Sequence, residues 1–131
     1  MARFDNQVAI VTGGALGIGG GTARRLAADG AKVLIADLDF EAGEANAKRI
    51  REAGGTVEVL KTNVGVSDDI QRMVAVAVEK FGRLDILVQN AYGVATTHGD
   101  SMGSAVEVEE EAWDFGMAVL TKALYLGAKF A

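Results

Sequence analysis

The run Val8-Ala9-Ile10-Val11-Thr12-Gly13-Gly14-Ala15-Leu16-Gly17-Ile18-Gly19 limits what this chain can fold into more than any other segment. Its four leading apolar residues predict a buried strand. The glycines behind them let the backbone turn tightly and approach a bulky group closely. A helix expected to follow would aim its unpaired N–H groups and positive dipole end at the same spot. That arrangement suits a nucleotide pyrophosphate, with Gly13, Leu16, Gly17, Ile18 and Gly19 as candidate contacts. Taken alone, the run also fits a structural turn that packs a helix closely on a strand, so its neighbours must decide.

Composition narrows the classes. A chain of 131 residues, half apolar and 24% charged, fits one ordinary globular domain with a real core. Its formal net charge of -5, with no basic cluster, argues against a nucleic-acid partner. There are no cysteines, which excludes disulfides and thiolate metal sites and permits a reducing compartment. Arg3 and Asp5 precede an apolar run too short for a secretion signal, and no stretch is long enough to span a bilayer. The expectation is a cytoplasmic protein with no membrane contact. Proline is absent while glycine reaches 17, so loops turn by glycine alone.

Strand and helix patterns alternate with short gaps, as in βαβ units around a parallel sheet. Strands are expected at Val8 to Thr12, Lys32 to Ala36, Thr56 to Leu60 and Leu84 to Gln89, and helices at Gly17 to Asp29, Glu41 to Ala53 and Ser67 to Phe81. In the last of these, Ile70, Met73, Val74, Ala77, Val78 and Phe81 make one apolar stripe, with Ser67 as its cap and Asp68 and Asp69 in its first turn. Gly30 and Gly82 read as helix stops. Val33-Leu34-Ile35-Ala36 is continuously apolar and fits burial on both faces, whereas Val57-Glu58-Val59 alternates and fits an edge. The default topology is therefore an α/β, Rossmann-type doubly wound parallel sheet of order 3-2-1-4, in a single domain over residues 1–131. After an irregular stretch from Tyr92 to Val106, a final helix is expected from about Glu107 to Ala131, with Trp113, Met117, Leu120, Leu124 and Ala128 as its apolar face.

Asp37 closes the second apolar strand, roughly 20 residues past the glycines, where a carboxylate can accept hydrogen bonds from the adenosine ribose hydroxyls of a dinucleotide. It would repel a 2′-phosphate, and neither Gly14 nor Leu38 offers a positive charge. NAD is thus expected over NADP, with Leu38 beside it in the site. By itself Asp37 equally fits a solvated strand end.

The Thr12-Gly13-x-x-x-Gly17-x-Gly19 spacing, Asp37 and the segment Leu84-Asp85-Ile86-Leu87-Val88-Gln89-Asn90-Ala91-Tyr92-Gly93 together resemble the short-chain dehydrogenase/reductase family, over essentially the whole chain but only about the first half of the family's pattern. The resemblance implies an oxidoreductase moving a hydride between a nicotinamide and an alcohol or ketone. It assigns Asn63 and Val64 to the adenine, with Asn63 standing where the family has Asp, and Asn90, Ala91 and Gly93 to the cofactor wall, with Gln89 and Tyr92 as departures. Tyr92 could crowd the nucleotide. Trp113-Asp114 resembles the start of the family's next long helix. Leu120 stands where members commonly carry an Asn that distorts the helix and orders a water; leucine is expected to do neither and to fill the core.

Tyr125 and Lys129 have the Tyr-x-x-x-Lys spacing of the family's catalytic pair, in which a cation lowers the phenol pKa. Their position matches the preceding helix instead, and Ala112 stands where a catalytic Ser would be, so no catalytic residue is assigned. His98 reads as solvated loop, and Glu107, Glu109, Glu110 and Glu111 as charge at a helix N-terminus rather than a metal site. The leading expectation is the cofactor-binding half of an NAD-dependent enzyme, inactive alone, homo-oligomeric because its last helix exposes apolar surface. Alternatives are a non-enzymatic nucleotide-binding or interaction domain and a flavodoxin-type mononucleotide binder.

Overall fold

The computed structural model describes residues 2–93 and 104–131. Strands β1 (Val8–Thr12), β2 (Lys32–Asp37), β3 (Thr56–Lys61) and β4 (Ile86–Gln89) form one parallel sheet in the order β3-β2-β1-β4. Helices α1 (Gly17–Ala28), α2 (Phe40–Glu52) and α3 (Ser67–Phe81) alternate with them, and the chain ends in α4 (Glu110–Met117), a π-helical turn over Ala118–Lys122, and α5 (Ala123–Phe130). This is the doubly wound arrangement expected from the sequence.

Strand pleating sorts the core onto two faces. Ala9, Val11, Val33, Ile35 and Val57 pack with Ala23 and Leu26 of α1 and with Ala47 and Ile50 of α2. Val8, Ile10, Leu34 and Ala36 face the other way, onto Ile70, Met73 and Ala77 of α3 and Ala123 and Leu126 of α5. The four central residues of β2 are buried on both sides, while β3 alternates at the sheet edge, as their apolar patterns require. At the start of β4, the Asp85 carboxylate accepts the Val8 N–H at 2.9 Å and the Arg83 guanidinium, tying β4 to β1.

Several boundaries differ from the sequence reading. Strands β2 and β3 run one residue further, because Asp37 and Lys61 are themselves paired across the register. Strand β4 begins at Ile86 instead of Leu84; Leu84 packs on the core ahead of the ladder. Ser67 does not cap α3: Val66 is the N-cap, with no side-chain cap, and Asp69 reaches back to the Asn63 N–H at 2.8 Å. In the α3 stripe, Val78 turns out to solvent.

The final helix differs most. It starts at Glu110, since Glu107 folds back onto the N–H and hydroxyl of Ser104, and the π-turn interrupts it. Trp113, Met117, Leu120, Leu124 and Ala128 are not its buried face; the buried stripe lies one residue back and contains Ala112, Val119, Ala123, Leu126 and Gly127. Small side chains let the helix lie close, and a methyl on Gly127 would collide with the Gln89 carboxamide. Leu120 is consequently 47% exposed instead of filling the core, and the helix is distorted around it without an asparagine. His98 lies outside the described residues.

Candidate nucleotide site

The C-terminal ends of the strands surround a cavity of about 530 Å³. It opens beside β1, where the strand order changes from β3-β2-β1 to β4, the switch point at which an open parallel sheet leaves a crevice. Every candidate contact named from the sequence except Gly19 lines it: the turn residues Gly13, Leu16, Gly17 and Ile18, then Asp37 at the end of β2 and Leu38 beyond it, Asn63 and Val64 beyond β3, and Asn90, Ala91 and Gly93 beyond β4.

The turn is held from β4. Gly13 adopts φ 65, a conformation that side chains resist, and a methyl there would stand 2.9 Å from Asn90 Nδ2. That amide donates to the carbonyls of Thr12 and Gly13, each at 3.2 Å. Thr12 completes the link: its hydroxyl accepts the N–H groups of Asn90 and Ala91 at 3.1 Å and donates to Val88 O. Gly19 lies behind the turn, where any side chain would strike the Gly13 carbonyl and Asn90 Nδ2. Its smallness seats α1 against the turn.

Helix α1 carries no side-chain cap and no acidic residue in its first turn. Its first backbone bond at this end runs from Gly20 N–H to Leu16 O, which leaves the amides of Gly17 and Ile18 without intrahelical partners at the cavity wall. Leu16, Ile18 and Leu38 are large apolar side chains largely open to solvent, and all three line this cavity. Tyr92 also lines it while remaining mostly exposed, so its ring sits at the margin and does not fill the space.

Asp37 has two structural bonds. One carboxylate oxygen accepts the Ala15 N–H at 2.9 Å, fastening the glycine turn to β2, and the other accepts the Asp39 N–H at 3.0 Å. Each oxygen retains a lone pair for a further donor. Asn63 accepts the Gly65 N–H through Oδ1 at 2.9 Å, which turns its NH₂ group into the part free to bond.

Sequence reasoning did not find all of the wall. Asp39 and Thr62 are adjacent to named residues and were within reach, whereas Phe115 and Val119 arrive from the last helices with no local signal. They lie over Gly93, where a methyl would be 3.2 Å from the Phe115 ring. Asn46 of α2 was also missed; it is buried against the turn from behind. Tyr125 and Lys129 lie away from the cavity: the Lys129 ammonium stands 6.0 Å from the Tyr125 ring centroid, with Tyr125 exposed.

Residues 7–131 match the family model described as short chain dehydrogenase. The chain is 40% identical over 129 residues to tropinone reductase-like 1 of Erythroxylum coca, covering 98% of this chain and 46% of that protein. It is 36% identical over 125 residues to 3beta-hydroxysteroid dehydrogenase 2 of Eggerthella lenta, covering 95% and 46%. A metagenomic short-chain oxidoreductase crystallised in complex with NADP superposes with a TM-score of 0.86 at 32% identity, over 97% of this chain and 55% of that one. A short chain dehydrogenase from Mycobacterium avium gives 0.88 at 31%, over 98% and 45%. The chain thus spans about half the length of these relatives. On sheet order, site architecture and these matches together, the chain belongs to the short-chain dehydrogenase/reductase family.

Proposed function

We propose that this chain is the cofactor-binding half of an NAD-dependent oxidoreductase acting on an alcohol or ketone. The observation that carries the reading is the convergence of the uncapped α1 N-terminus, the Asp37 carboxylate and the Asn63 and Asn90 amides on one cavity at the switch point. A dinucleotide fits these residues. The amides at Gly17 and Ile18 would receive the pyrophosphate, Asp37 the adenosine ribose hydroxyls, and Asn63 with Val64 the adenine. Covering Leu16, Ile18 and Leu38 would remove apolar surface from water. When bound, the nicotinamide supplies the hydride chemistry; the chain's own task is to bind and orient it.

Charge favours NAD over NADP. A shallow recess beside Asp37 is lined by Leu38, Phe40, Lys61 and three carboxylates, Asp37, Asp39 and Glu41. One lysine among three acids leaves the ribose end negative, and a 2′-phosphate would be repelled. Calorimetric titration of the wild type and Asp37→Ala with NAD and NADP tests this. NAD binding that the substitution weakens, with NADP no tighter than NAD in the wild type, supports the proposal; indifference to both cofactors sinks it.

A specific observation also favours self-association. Trp113, Met117, Leu120, Leu124 and Tyr125 expose one apolar face along α4, the π-turn and α5, and a second copy of the chain is the partner assigned to it.

A further inference from the structure

We propose that Asn46, in the middle of α2, is a positioning residue for the dinucleotide cradle, acting through the backbone of the glycine turn. This rests on the dinucleotide reading above. Asn46 is only 3% exposed, yet its amide is fully engaged. Nδ2 donates to Gly14 O at 2.8 Å and to Gly20 O at 3.3 Å, and Oδ1 accepts from Arg24 Nη1 at 2.7 Å. Arg24 has only donors to offer, so the orientation of the amide is set: its NH₂ must face the two carbonyls.

One side chain therefore spans the turn and the first coil of α1. Gly14 precedes the cavity-lining residues Ala15, Leu16, Gly17 and Ile18, and Gly20 follows them. Clamping a carbonyl on each side holds the intervening backbone in a single shape, with the Gly17 and Ile18 amides between the two anchors. The opposite side of the turn is gripped by Asn90, which donates to Thr12 O and Gly13 O. Two side-chain amides, buried Asn46 of α2 and half-buried Asn90 just past β4, thus hold the turn from opposite sides. Asn46 does not line the cavity, so its influence on a ligand must pass through the turn.

A positioning role and a merely structural one differ in which ligands respond. Adenosine engages only the Asp37, Asn63 and Val64 end, whereas ADP and NAD also need the turn amides. Affinities of the full chain for NAD, ADP and adenosine are measured by NMR titration, which reaches millimolar constants, for the wild type, Asn46→Ala and Arg24→Met, with thermal unfolding recorded for each. Asn46→Ala is expected to weaken NAD and ADP by about tenfold, the scale of one lost hydrogen bond, and adenosine by less than about twofold. Arg24→Met, at an exposed position, frees the amide to rotate and is expected to act in the same direction, more weakly. If Asn46→Ala does not fold, Arg24→Met carries the same comparison. Folded variants that bind all three ligands like the wild type, or lose all three equally, overturn the inference. A wild type that binds neither NAD nor ADP overturns the dinucleotide reading itself and this inference with it, while adenosine-selective loss overturns the inference alone.

Discussion

The carboxylate of Asp37 accepts the backbone N–H of Ala15 at 2.9 Å, joining the end of β2 to the glycine turn across 22 positions of sequence. The residue proposed to meet the ribose thereby also shapes the turn proposed to meet the pyrophosphate. Asp37→Asn keeps an acceptor for Ala15 and removes the charge; Asp37→Ala removes both. We expect Asp37→Asn to lower NAD affinity while narrowing the gap between NAD and NADP, and Asp37→Ala to lower both affinities and cost about 1–3 kcal/mol of stability through the two hydrogen bonds lost from Ala15 and Asp39. Calorimetry and urea unfolding of the two variants check this. Equal behaviour of Asn and Ala would show that the acceptor geometry contributes nothing.

A second carboxylate gives a pH dependence. The Arg83 guanidinium, and after it the Val8 N–H, hold Asp85 below the ordinary carboxylate value near 3.8. A carboxyl whose folded pKa is depressed contributes stability that is present above its unfolded pKa and disappears as pH falls through the folded one. Asp85→Asn removes the titration but keeps an acceptor for Val8. The wild type should therefore have the higher Tm near pH 6, and the difference should close as pH falls below about 4. A difference that stays constant down to pH 2 would remove Asp85 as its source.

The last helix offers a test of packing. Gly127 lies against the Gln89 carboxamide, whose Nε2 donates to Leu124 O at 3.2 Å. Gly127→Ala must push α5 off β4 or displace Gln89, at a cost of about 1–3 kcal/mol. In a Gln89→Ala background the space already exists, and the same substitution should be nearly neutral. Urea unfolding of the two singles and the double variant measures the coupling; additive effects would mean the contact does not limit the approach.

What was legible in the sequence follows from how strongly burial marks it. Strand β2 was readable because both of its faces are covered, so Val33 to Ala36 must all be apolar; β3 because one covered face forces alternation. The wall residues named from the sequence were readable because each stands at or shortly past the end of a strand. The last helix was not, since it carries two apolar stripes one residue apart. Hydrophobicity selects the larger side chains, Trp113, Met117, Leu120 and Leu124, whereas the buried side carries mostly smaller ones, Ala112, Val119, Ala123 and Gly127, the last of them lying against Gln89 of β4. Asn46 was invisible for a related reason: a single polar residue beside Ala47 in an amphipathic helix carries no sign that two carbonyls 26 and 32 positions away need its amide.

The stripe of larger residues that packing leaves outside leads to the final prediction. Trp113, Met117, Leu120, Leu124 and Tyr125 recur at helical spacing along one side of α4, the π-turn and α5 and are all at least two-fifths exposed. A monomer would keep that contiguous face in water, against the usual limit on apolar patches. A two-fold pairing of identical helices would bury it, because an isologous contact needs only a self-complementary stripe. The chain is expected to sediment as a dimer or larger species at micromolar concentration. The double variant Leu120→Glu/Leu124→Glu, altered only at half-exposed positions, should sediment as a monomer with an unchanged far-ultraviolet spectrum. A wild type that is monomeric throughout, or a double variant that still dimerises, would take the interface away from this face.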